Sequence, residues 1–126
     1  MTRILLIEDN VDIRENTTEL LELAGFLVAA APNGLEGIAL LDEHRPHIIL
    51  CDVQMPEMNG LDVFRNIKAN PSSAKIPFIF VTASAEKREI EAALAMGADG
   101  YVCKPFESKE LLEAINGVLN KTTDPL

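Results

Sequence analysis

Glu8 and Asp9 stand side by side at the end of the apolar run Ile4-Leu5-Leu6-Ile7, and three more polar residues close later apolar runs: Asp52, Thr82 and Lys104. Adjacent carboxylates at the end of a buried strand repel each other and lose hydration, so they require a compensating cation. Two unit charges ~5 Å apart at an effective dielectric of ~20 repel by about 3 kcal/mol. Lys104 offers one positive charge, and a divalent ion would offer two more. An all-oxygen donor set without His or Cys selects a hard cation, Mg²⁺ or Mn²⁺ before Zn²⁺. Such an ion typically works on a phosphoryl group, and a carboxylate can itself be the nucleophile that forms an aspartyl phosphate. Asp52 is the candidate nucleophile. It belongs to a different segment from the acidic pair, and the following "VQMPEMNG" is rich in turn residues that leave room for a transferred group.

These residues must be positioned by the elements that precede them. Short runs apolar on both faces predict strands over Arg3 to Glu8, Phe26 to Ala31, His47 to Asp52, Pro77 to Thr82 and Gly100 to Cys103. Helical spacing fills the intervals: Ile13, Thr17, Leu20 and Leu21; Leu35, Ile38 and Leu41; Leu61, Phe64 and Ile67; Ile90, Ala93 and Leu94; Leu111, Ile115 and Val118. Five strand-then-helix units imply right-handed crossovers and a doubly wound parallel α/β sheet, open because barrel closure needs about eight units. In such sheets ligands bind beyond the carboxyl ends of the strands. Four of those ends carry Glu8-Asp9, Asp52, Thr82 and Lys104, whereas the second strand runs into "AAPNG".

Composition sets the remaining bounds. The 126 residues fit one domain, expected over residues 1–120, with residues 121–126 as a frayed tail. A net charge of -9 disfavours direct nucleic-acid binding and anionic membrane surfaces. No apolar run approaches the ~20 residues of a membrane span, and the start lacks a secretory h-region, so cytoplasmic placement is expected. Cys51 and Cys103 are expected to be buried, unbridged thiols, and His44 and His47 to be structural. Simpler roles compete at several positions: Asp9 or Asn10 as the cap of the first helix, and Thr82 or Ser84 as a cap further on. Capping is the favoured role for Ser84.

The motifs "LLIEDN", "LCDVQMPEMNG", "FVTAS" and "YVCKPF", in that order, resemble the receiver domains of two-component response regulators over Arg3 to about Leu119. The resemblance implies a flavodoxin-like sheet of order 2-1-3-4-5 with five helices. It implies that Glu8, Asp9 and Asp52 hold Mg²⁺ together with the backbone carbonyl of Gln54, and that Asp52 is the phosphoacceptor. Thr82 and Lys104 would bind the phosphoryl group, Thr82 and Tyr101 would switch on activation, and the side chains of Gln54 and Ser84 would influence the phosphoryl lifetime. Lys104-Pro105 resembles the family's cis peptide. The implied donor is a histidine kinase or phosphotransfer protein, and the implied output is an unknown downstream protein reached through the fourth helix, fifth strand and fifth helix, without enzymatic turnover.

Three other functions share parts of this pattern. A flavodoxin-like flavin binder would need a Ser/Thr/Gly-rich loop after the first strand, where "EDN" repels phosphate. A phosphohydrolase with an aspartyl intermediate would place a second aspartate two residues after the nucleophile, where Gln54 stands. An interaction module that no longer switches would not need the full set of Glu8, Asp9, Asp52, Thr82 and Lys104.

Overall fold

The structure is a computed structural model that describes residues 1–83 and 87–123. Its strands are β1 (Arg3–Ile7), β2 (Leu27–Ala31), β3 (Ile48–Asp52), β4 (Phe78–Thr82) and β5 (Gly100–Cys103). All pair in parallel in the order β2-β1-β3-β4-β5. The helices are α1 (Val11–Leu23), α2 (Gly34–Ala39), α3 (Leu41–His44), α4 (Gly60–Ala69), α5 (Lys87–Ala95) and α6 (Ser108–Thr123). Every strand lies within one residue of its expected start and end.

Six helices rather than five result from a break in the second helical segment. The N–H of Leu40 is shared between the carbonyls of Glu36 (3.2 Å) and Gly37 (3.1 Å), tightening the turn there. A short second helix then ends at Arg45, whose φ of 49° is left-handed.

Period-two alternation divides the core between the two faces of the sheet. Leu5, Ile7, Ile49, Cys51, Phe78 and Phe80 pack against Val63, Phe64 and Ile67 of α4 and Ala93 of α5. The Phe64 and Phe78 rings meet edge to face, with centroids 5.2 Å apart. Ile4, Leu6, Ile48, Leu50, Ile79, Val81 and Val102 pack against Leu21 of α1 and Leu111, Ile115 and Val118 of α6. The two edge strands depart from the expected burial on both faces. In β2 only Ala31 is fully buried, and in β5 only Val102 is. Cys103 is therefore exposed, correcting the expectation of a buried thiol; Cys51 is buried, and both are free.

Both histidines brace the amino-terminal end of the sheet. The His44 ring pairs through Nε2 with the Ile4 carbonyl (2.9 Å), and His47 Nδ1 accepts the N–H of Arg3 (2.9 Å). Burial, then the charges of Arg3, the terminal amine and His44, hold the His47 pKa below its ordinary value. A base with a depressed folded pKa contributes stability that is complete above its unfolded pKa and lost as pH falls through the folded one. The urea midpoint is therefore expected to drop on acidification from about pH 7 to 5, with a shallower drop in His47→Gln. Equal slopes in the two proteins would refute the assignment.

Candidate metal and phosphoryl site

The same alternation decides which residues meet beyond the strand ends. Ile4 and Leu6, Ile48 and Leu50, and Val102 face α1 and α6. The next residues of that parity, Glu8, Asp52 and Lys104, thus leave the carboxyl end of the sheet on one face. One carboxylate oxygen from each of Glu8, Asp9 and Asp52 lies within 4.8 Å of the others. Lys104 Nζ donates to Glu8 Oε1 and, at 3.2 Å, to Asp52 Oδ2. The Lys104 side chain is 11% exposed, against 3% for Glu8 and 8% for Asp52, so this charge cluster is largely desolvated. Its donors are all oxygens, as a hard divalent cation requires.

Local structure explains how each member is held. Asn10 caps α1, its Oδ1 accepting the N–H of Ile13 at 3.0 Å, so the capping role open to Asp9 is taken by its neighbour. The Asp9 carboxylate is exposed and has no hydrogen-bond or ion-pair partner among the described residues. Glu8 Oε2 accepts the N–H of Asn10 at 3.1 Å, and Asp52 Oδ1 accepts the N–H of Gln54 at 3.2 Å. The N–H of Lys104 donates to the carbonyl of Thr82 at 2.8 Å, and the Lys104–Pro105 bond is cis.

Burial raises the pKa of the Glu8 carboxyl against the lowering effect of Lys104, with the Asp52 charge adding to the rise. Burial acts in the opposite direction on Lys104, but its contacts with Glu8 and Asp52 outweigh it and raise the ammonium above its ordinary pKa. The ammonium thus remains charged beside a Glu8 carboxylate that burial disfavours. Cys51, just before Asp52, is fully buried, and burial followed by the Asp52 and Glu8 charges pushes its thiol well above the ordinary range, leaving it inert.

Thr82 is fully buried at the end of β4, and Tyr101 is 46% exposed on β5. Gln54 is exposed, and Ser84 lies outside the described residues. Two contributors were not singled out from the sequence. Gly60, the first residue of α4, donates its N–H to the carbonyl of Val53 at 2.8 Å, and a Cβ there would stand 2.3 Å from the Asp52 carbonyl oxygen. Arg14 Nη1 donates to the backbone carbonyls of Glu8 (2.9 Å) and Asp9 (3.4 Å). The motif "MNG" marked Gly60 only as a turn, and an arginine six residues after Glu8 carried no signal of its own.

An acidic pocket at the carboxyl end of a parallel sheet of this order is the arrangement that the resemblance to receiver domains implied. The chain belongs to the response regulator receiver domain family, whose sequence profile matches residues 4–116. It is 34% identical to the transcriptional regulatory protein CpxR homolog of Haemophilus influenzae, over 99% of this chain and 53% of that protein. It is 36% identical to the response regulator SaeR of Staphylococcus aureus, over 96% of this chain and 52% of that one. The chain thus spans about half the length of the curated relatives it matches. Among solved structures it resembles chemotaxis protein CheY4 of Vibrio cholerae, with a TM-score of 0.88 and 28% identity over 94% of this chain and 98% of that one. A receiver domain from Clostridium thermocellum gives a TM-score of 0.89 and 29% identity over 97% of each chain. Membership makes this a receiver domain of the two-component response regulator type. Among the described residues, no helix is long and apolar enough to cross a membrane.

Proposed function

We propose that Asp52 accepts a phosphoryl group from a histidine kinase or phosphotransfer protein, and that the new charge remodels the α5–β5–α6 surface for a downstream protein. The observation that carries this reading is the cluster itself: three carboxylates within 4.8 Å of one another, two of them bonded to Lys104. Glu8, Asp9 and Asp52, with the Gln54 carbonyl, would hold Mg²⁺ or Mn²⁺, which supplies positive charge to the phosphoryl oxygens. An Asp52 carboxylate oxygen bonds to phosphorus as the donor's phosphorus–nitrogen bond breaks. Lys104 pairs with the transferred oxygens, and Thr82 hydrogen-bonds to them.

The aspartyl phosphate carries about -1.5 to -2 charges and three acceptor oxygens, enough to draw Thr82 and the start of the following connection toward the pocket. Tyr101 then turns inward from its exposed position. Leu94, Met96 and Tyr101 are exposed on this side and form the apolar part of the surface offered to the target. Beside Lys104, a hollow of about 520 Å³ lined by Ile13, Leu20, Pro105 and Phe106 gives a protein donor a place to lodge. The acidic balance of the chain leaves nucleic acid outside this reading, and its expected compartment is the cytoplasm. The domain takes up a single equivalent and does not turn over a substrate.

Intact mass after incubation with Mg²⁺ and acetyl phosphate, and separately with a phosphohistidine donor protein, tests the reading. One phosphoryl group is expected on the wild type and none on Asp52→Asn or in chelator. Failure with both donors, or label retained by the Asn variant, would overturn it.

A further inference from the structure

We infer that Arg14 is a positioning residue for divalent-cation binding: its guanidinium, bonded to the carbonyls of Glu8 and Asp9, fixes the backbone that aims the Asp9 carboxylate. The inference rests on the proposed metal reading and extends it to a residue of α1.

The three carboxylates are not held in the same way. Glu8 is anchored by Lys104 and the Asn10 N–H, and Asp52 by Lys104 and the Gln54 N–H. The Asp9 side chain has no such anchor among the described residues, so its place beside Glu8 and Asp52 is set by its backbone alone. Asp9 sits in the turn between β1 and α1, outside both ladders. The Glu8 carboxylate spans this turn by accepting the Asn10 N–H, and Arg14, half-buried, grips its carbonyls from α1, at 2.9 Å to Glu8 O and 3.4 Å to Asp9 O. Its own backbone N–H donates to the Asn10 carbonyl at 2.9 Å, so the grip reaches back from a fixed point in the first turn of α1. Groups of this kind, which orient ligands without touching the ion, commonly matter about tenfold or more to metal affinity.

Charge and positioning predict opposite signs. A guanidinium beside the cluster repels a divalent ion, so if Arg14 acted only as a charge, its removal would tighten Mg²⁺ binding. If it positions Asp9, removal loosens binding. Arg14→Gln and Arg14→Lys separate the two, because the lysine keeps the charge and gives up the planar guanidinium.

Mg²⁺ is titrated into wild type and both variants, followed by calorimetry and by the amide shifts of Glu8 to Asn10, with thermal unfolding as a check on folding. The expected result is about tenfold weaker Mg²⁺ binding in Arg14→Gln and a smaller loss in Arg14→Lys. Acetyl-phosphate labelling should reach the wild-type maximal rate in both, at a higher half-saturating Mg²⁺ concentration. Tighter binding in Arg14→Gln with unchanged binding in Arg14→Lys would reduce Arg14 to a charge and overturn the inference. So would unchanged affinity in both, or a lower maximal rate at unchanged half-saturation. Should Arg14→Gln fail to fold, Arg14→Lys alone decides, since it preserves the charge. A wild-type chain that binds no divalent ion removes the metal reading and this inference with it, whereas binding that ignores Arg14 removes only the inference.

Discussion

Lys104→Ala is expected to cost the metal-free protein about 2 to 4 kcal/mol and to slow phosphoryl uptake by about two orders of magnitude. The substitution leaves Glu8 and Asp52, both largely buried, with no cation between them, while the Asp9 oxygen remains within 4.8 Å. Removing one partner of a buried ion pair costs more than the pair contributes, because the charges left behind have already lost their water. The defect should shrink when Mg²⁺ is added, because without the competing Lys104 charge the carboxylates bind the ion more tightly and the variant gains more by mass action than the wild type. It should also shrink on mild acidification. Glu8 already has a raised pKa, and a carboxyl of that kind contributes stability that is complete below its unfolded pKa and lost as pH rises through the folded one. Without Lys104, which lowers the Glu8 pKa, the rise is larger. Urea unfolding of the two proteins with and without Mg²⁺, across the carboxylate titration range, measures both effects. A loss independent of Mg²⁺ and of pH would mean that Lys104 contributes packing alone.

Gly60→Ala should be as damaging by a steric route. The added methyl carbon would stand 2.3 Å from the Asp52 carbonyl oxygen and 2.8 Å from the Val53 Cα, both backbone atoms with no rotamer to yield. Either α4 moves away, breaking the Gly60 N–H to Val53 bond, or the end of β3 bends and carries Asp52 with it. The expected cost is about 2 to 3 kcal/mol, with weaker Mg²⁺ binding in whatever remains folded. Gly117 is the control, exposed in α6 with nothing within 4 Å of the place a methyl carbon would take. Gly117→Ala should stabilise by about 0.5 to 1 kcal/mol, the helix-interior preference for alanine. Denaturant midpoints showing equal effects at the two positions would contradict the steric account.

What the sequence disclosed depended on the range of the information needed. The buried strands β1, β3 and β4 are continuous apolar runs, and the polar residues that end them are adjacent in sequence to the elements that aim them. Residue order alone therefore places Glu8, Asp52 and Thr82 at one end of the sheet. Edge position is a property of strand order, so the exposure of Cys103 was hidden in an apolar "YVC" that looks the same on an inner strand. The break at Leu40 depends on one shared N–H, below the resolution of helical periodicity. Gly60 and Arg14 act through contacts with backbone atoms of other segments, and residue type alone encodes no such approach. The separation of the capping role of Asn10 from the Asp9 carboxylate likewise appeared only with the turn geometry.

The bond from Lys104 to Glu8 joins residues 96 positions apart, and the same ammonium reaches Asp52, which lies between them in sequence. A fragment ending before Lys104 would contain all three carboxylates and lack the internal cation that tolerates them together. The complete pocket therefore depends on long-range closure of the chain: β1, β3 and β5 must all be seated for it to exist. On the proposed reading, phosphoryl uptake therefore reports on the seating of all three strands, because a chain with β5 unseated would keep the carboxylates and lose Lys104.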